Sequence, residues 1–183
     1  MAVLVEGISV IIRRKIIEEK FPGGWDAFVE DVPNQTLCAD DELARIGFMS
    51  PADVRAYVKH LEGHGFKYLS QERAVDLVVA DQLQGPVTQC DWGQFGHVAV
   101  GGNESQQVAA CRAVGSTLKM LIFPDGWQYE GSLSQSFGFV PEDRPENGLT
   151  FLRRENNLDV YHNSLTGKEV YIGRTAGNNQ SDL

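Results

Sequence analysis

The stretch Cys90-Asp91-Trp92-Gly93-Gln94-Phe95-Gly96-His97 brings a thiol, a carboxylate and an imidazole together within eight residues. An imidazole beside a thiol can take its proton, so a Cys–His pair is the smallest apparatus for acyl or thiol transfer. If residues 93–96 close a hairpin, Cys90 stands opposite His97 with Cβ atoms about 5 Å apart. Asp91 then points to the other face and cannot orient the imidazole. The triad is incomplete, and a small buried thiol next to a surface histidine accounts for the same residues.

Two other groups invite chemistry. His60 and His64 have the i, i+4 spacing that sets two imidazoles on one face of a helix, as metal-binding helices do. No glutamate follows His60 in the place a zinc protease needs, and no third ligand is apparent, so neither a metal nor any other cofactor is expected. Gly101-Gly102-Asn103 resembles an anion-binding helix start, but it lacks the glycine spacing of a phosphate loop. Asn103 as an N-cap with Gln106 three residues on explains it structurally.

Aromatic residues carry the binding argument. Phe21-Pro22-Gly23-Gly24-Trp25 and Phe123-Pro124-Asp125-Gly126-Trp127 each place an indole directly after a tight turn. Trp92, Trp127 and Tyr129 can form an aromatic wall, and Asp91 and Asp125 beside them would bias it toward a basic protein or a small cationic ligand. Anchoring of loops in a core is the competing explanation for the same rings.

Charge and cysteine usage narrow the function classes. The 16 Lys and Arg against 25 Asp and Glu give 16 − 25 = −9, which disfavours nucleic acid, because phosphate-backbone affinity comes from Lys and Arg. Three cysteines without C-x-x-C spacing point to a reducing compartment and to no disulfide framework. Residues 3–12 are apolar but short and interrupted by Glu6, which reads as a buried strand and neither a signal peptide nor a membrane span. A cytoplasmic protein without membrane contact is the expectation.

These groups must be held by elements the pattern also specifies. After the strand at 3–12, residues 13–32 read as two short helices broken at Phe21-Pro22-Gly23-Gly24. Residues 36–38 and 43–49 form a hairpin across Asp40-Asp41. Ser50-Pro51-Ala52-Asp53 is a strong helix start, and Val54, Val58 and Leu61 give that helix an apolar stripe before Gly63 or Gly65 ends it. Residues 66–69 and 74–80 then extend. The order β-α-β-β-α-β is that of the ferredoxin-like split βαβ unit.

Beyond it, the pattern predicts a strand pair at 87–92 and 95–100, a helix at 105–114 and a strand at 118–123. A long loop at 131–147 and a β-meander at 149–153, 158–162 and 169–173 follow. The expectation is an α+β protein, with a ferredoxin-like half at 1–82 packed against a mainly antiparallel β half with one helix at 83–175, and a frayed tail at 176–183. The favoured function is a non-catalytic interaction or binding protein of the inhibitor or immunity type. A small enzyme using Cys90 as nucleophile and His97 as base is the alternative.

Overall fold

Glu6 and Gly7 divide the apolar run at the N-terminus into two strands, β1 (Ala2–Val5) and β2 (Ile8–Arg13), which enter different sheets. A single strand was the expectation from hydrophobicity. Gly7 overturns it, because it has φ +59° and a Cβ there would lie 2.8 Å from the Phe48 carbonyl oxygen, so only glycine makes this turn. The computed structural model describes residues 1–117, 120–136, 149–155, 158–163 and 168–173.

The chain continues through α1 (Arg14–Lys20) and α2 (Gly24–Asp31), separated where Gly23 takes φ +87°. Strands β3 (Cys38–Ala39) and β4 (Leu43–Phe48) form the expected hairpin. Its turn is held by Asp40, whose Oδ1 accepts from the main-chain N–H groups of Glu42 and Leu43, both at 2.7 Å. Helix α3 (Pro51–Gly63) begins as its sequence predicts, with the Ser50 hydroxyl accepting from Ala52 N at 3.2 Å, and it buries Val54, Tyr57, Val58 and Leu61. A short ribbon of β5 (Leu69–Ser70) and β6 (Arg73–Ala74) leads to β7 (Leu77–Asp81) and β8 (Gly85–Pro86).

The second half contains β9 (Gly93–Val100), β10 (Asn103–Ala113), β11 (Leu121–Ile122) and α4 (Leu133–Ser136). It ends in the expected meander of β12 (Leu149–Glu155), β13 (Leu158–Asn163) and β14 (Lys168–Gly173), paired antiparallel in that order. Residues 118–119, 156–157 and 164–167, most of the expected loop at 131–147 and the expected frayed tail at 176–183 lie outside the described residues.

Two expectations for this half are corrected. Residues 105–114 do not form a helix, because β10 runs through them between β1 and β9. Val108, Ala109, Ala110 and Cys111 are buried in succession, so the strand is covered on both faces and shows neither helical nor alternating periodicity. Asn103 caps no helix; its Oδ1 accepts from the N–H and hydroxyl of Ser105, next to the Gly101-Gly102 turn of the β9–β10 hairpin. Residues 87–92 do not pair with 95–100 either, since β9 is one uninterrupted strand partnered by β10.

A five-stranded antiparallel sheet of order β3-β4-β2-β7-β8 forms the middle layer of this α+β protein. Alternation along β2 explains both faces: Ile8, Val10 and Ile12 pack with Ile17, Phe28, Val58 and Leu61 from the helices. Ile11 points the other way, toward Val3, Val5, Val78 and Cys111. The four-stranded sheet β11-β1-β10-β9 supplies that opposite face, with β1 pairing antiparallel to β10 and parallel to β11. Residues 2–5 therefore belong to a sheet otherwise built from residues 93–122.

Between the sheets lies Arg45, which is 2% exposed. Its guanidinium donates to Ser9 Oγ at 2.9 Å, to the Glu6 carbonyl at 2.6 Å and to the Thr36 carbonyl at 3.3 Å. Gly47 leaves room for this group, because a Cβ there would sit 2.5 Å from Arg45 Nη2. Gly47→Ala is expected to cost about 1–3 kcal/mol by overpacking. Arg45→Ala should cost about 3 kcal/mol by stranding buried acceptors. The double variant should fall short of the sum by at least about 1 kcal/mol in urea denaturation, and additivity would refute the packing relation.

Candidate functional site

The cysteine–histidine segment lies along the outermost strand of the four-stranded sheet, where straight geometry determines what can meet. Gly93 and His97 are four residues apart in β9, about 13 Å along an extended strand. Cys90 sits at the Gly93 end: a Cβ on Gly93 would lie 3.1 Å from the Cys90 sulfur and 3.3 Å from that of Cys111. Gly93 thus serves close approach of two thiols and not a turn. The hairpin that would have set Cys90 opposite His97 is absent, and His97 is paired in register with Ala109. Burial pushes the Cys90 thiol above its ordinary pKa, and partial desolvation lowers the His97 imidazole. Neither shift favours a thiolate at neutral pH.

The aromatic residues are tied inward. The Trp92 indole N–H donates to the Ala74 carbonyl at 3.2 Å, and Arg13 lies 5.9 Å from its ring centre. Trp127 stacks on Phe123 at 4.1 Å, meets Tyr129 edge-on at 6.5 Å, and donates its N–H to the Glu6 carboxylate at 3.1 Å. All three rings of the expected wall remain half-buried and pack against the core between the sheets. Asp91 is exposed and bonded to Arg73 at 2.7 Å, whereas Asp125 is exposed in the turn before Trp127.

The concave surfaces lie beside β9. A cleft of about 310 Å³ is lined by Ala2, Gln94, Gly96, Arg112, Met120 and Leu121 on the outer face of the four-stranded sheet. A second, of about 210 Å³, lies where β8 approaches β9 and includes Asp81, Gln82, Pro86 and Ala109. Phe95, Gly96 and His97 line both. Among the described residues β9 has one hydrogen-bonded neighbour strand, β10, and stands at the edge of its sheet. Asp81 Oδ1 accepts from Leu83 N and Gln84 N at 2.8 and 3.0 Å, yet burial raises its carboxyl above the usual range. Composition gave no hint of this pair of clefts, since they depend on how two sheet edges meet.

A third cluster completes a set that was left open. Asp31, the last residue of α2, reaches His60 Nε2 at 2.6 Å, and the potential ligand atoms of Asp31, His60 and His64 all lie within 4.8 Å of one another. The i, i+4 spacing identified the two histidines. Asp31 could not be found from spacing, because only the packing of α2 beside α3 brings it there.

The fold and these surfaces define an α+β protein with clefts flanking a sheet edge and no assembled Cys–His pair. No family model matches the chain, and neither a curated protein nor a solved structure matches it. No described helix is long and apolar enough to cross a membrane.

Iodoacetamide should label Cys90 slowly at neutral pH and faster only as the pH rises beyond the ordinary thiol range, with no change in His97→Ala. Mass mapping of the native chain tests this. Fast labelling near pH 6 that disappears in His97→Ala would restore the catalytic pair.

Proposed function

We propose that the chain is a non-catalytic binding protein of the inhibitor or immunity type, engaging an extended basic segment of a partner protein along β9. The observation that carries this reading is the position of β9 at the edge of its sheet, between two clefts that share Phe95, Gly96 and His97. An exposed strand edge can accept main-chain hydrogen bonds from an added strand, and pockets on either side of it would take alternate side chains. Charge selects the partner's sign. The chain carries −9, and a Lys or Arg entering the smaller cleft would meet the half-buried Asp81 carboxyl, its positive charge favouring the ionised form against the desolvation that raises the pKa.

The aromatic set supports this surface from behind. Trp92 pins the start of β9 through its bond to Ala74, while Asp91 and Asp125 add exposed negative charge to the same half. The order β3-β4-β2-β7, with α1 and α2 in the first connection and α3 in the second, supports reading the five-stranded layer as a ferredoxin-like unit with β8 appended. Three cysteines without a disulfide favour a reducing, cytoplasmic setting.

The test is capture of partners from native extract, followed by titration of the purified partner. A basic protein should bind more weakly as salt rises. Asp81→Asn, which retains a turn-capping oxygen, should weaken it roughly tenfold, and Val98→Arg should weaken it further by charge repulsion at the edge. Equal binding by both folded variants would reject this surface.

A further inference from the structure

We propose that Asp31, His60 and His64 form a binding site for one divalent transition-metal ion of the zinc class, with an open coordination position facing the cleft beside α3. The site is independent of the partner surface on β9. Its donor set, two imidazoles and one carboxylate, is one that first-row divalent ions accept while leaving a position for water or a ligand.

Geometry comes first. Around a tetrahedral ion with bonds of about 2.1 Å, neighbouring ligand atoms stand about 3.4 Å apart. The three donors already lie within 4.8 Å, and His60 and Asp31 are 2.6 Å apart, so small rotations of partly exposed side chains bring all three onto one ion. The imidazoles approach edge to face, with centroids 4.8 Å apart at 86°, and Phe21 backs the His64 ring at 4.8 Å. The rings are therefore held by packing before an ion arrives.

Electrostatics agree. Asp31 ends α2, and His60 and His64 lie at the end of α3, so two helix C-termini converge on this point. The C-terminal end of a helix carries a partial negative charge, which favours a cation. A carboxylate at the end of α2 runs against that preference, and a bound cation resolves the conflict.

The second observation is Tyr57. It is 5% exposed, lines a cleft of about 590 Å³ together with Asp31, Asn34, Asp53 and His60, and stacks on His60 at 6.1 Å. Its hydroxyl is buried without a hydrogen-bond partner. Buried hydroxyls are normally bonded, so an unpartnered one here marks a place for a ligand atom. Water or a small anion on the ion's open position would supply the acceptor. Asp53 and Asn34 give the same cleft further polar groups for such a ligand.

The experiment is calorimetric titration of the chelator-treated full chain with Zn²⁺, together with Co²⁺ absorption as a reporter of nitrogen and oxygen coordination. One equivalent should bind, with Cu²⁺ tighter and Mn²⁺ weaker in the usual order, and excess Mg²⁺ should not displace it. Loss of a ligand should exceed the roughly 10–100-fold cost of losing a supporting group, so His60→Ala and His64→Ala should each weaken Zn²⁺ more than 100-fold. Asp31→Asn should weaken it roughly tenfold or more, and Tyr57→Phe should alter the Co²⁺ spectrum with little loss of affinity. His97→Ala and His162→Ala should bind as the parent does. Absence of stoichiometric binding in the parent, or unchanged affinity in a folded His60→Ala/His64→Ala variant, would overturn the proposal.

Discussion

Arg45 and Glu6 hold together the point where the chain passes from one sheet to the other. The Glu6 carbonyl accepts from Arg45 and from the Ser9 hydroxyl, while its carboxylate accepts from Trp127 and from the main chain and hydroxyl of Ser134. One residue thus ties β2, β4, the turn before Trp127 and the start of α4. Removing charged groups from water is costly, and the arrangement is stable because almost every donor and acceptor is met with good geometry. The same knot explains why Trp127 is an anchor: its indole N–H completes the coordination of a buried carboxylate.

From this centre the layers follow. β2 gives alternate residues to the helices and to the second sheet, so two cores form on opposite sides of one strand. The helix side is strongly apolar and tightly defined. The sheet side is padded by small residues and thiols, with Ala109, Cys111 and Cys38 buried among valines. Small side chains let the sheets approach, and the smaller cleft opens where β8 approaches β9.

The sequence pattern was most legible where local chemistry and burial agree. Ser50-Pro51 announces α3, its stripe predicts the buried face, and the meander follows from alternation between turn residues. The pattern misled where burial is two-sided or where a turn interrupts an apolar run. The run at 3–12 looks continuous because Gly7 is small, and 105–114 lacks alternation because β10 is buried in succession at 108–111. At the candidate sites the same divide holds. His60 and His64 were visible as a helical pair, whereas Asp31 arrives through tertiary packing. Cys90 and His97 were neighbours in sequence, yet an extended strand carries them apart.

The placement of β1 also imposes an order on biosynthesis. Val3 pairs with Cys111 and Ile122, whereas the five-stranded sheet needs nothing beyond Pro86. On a ribosome adding 5–20 residues per second, the 36 residues from 86 to 122 take roughly 2–7 s. For that interval the helix-covered layer can assemble while Val3, Leu4 and Val5 wait without their strand partners. During synthesis these three apolar residues therefore stay uncovered beside the charge of Glu6 until β10 and β11 arrive to enclose them.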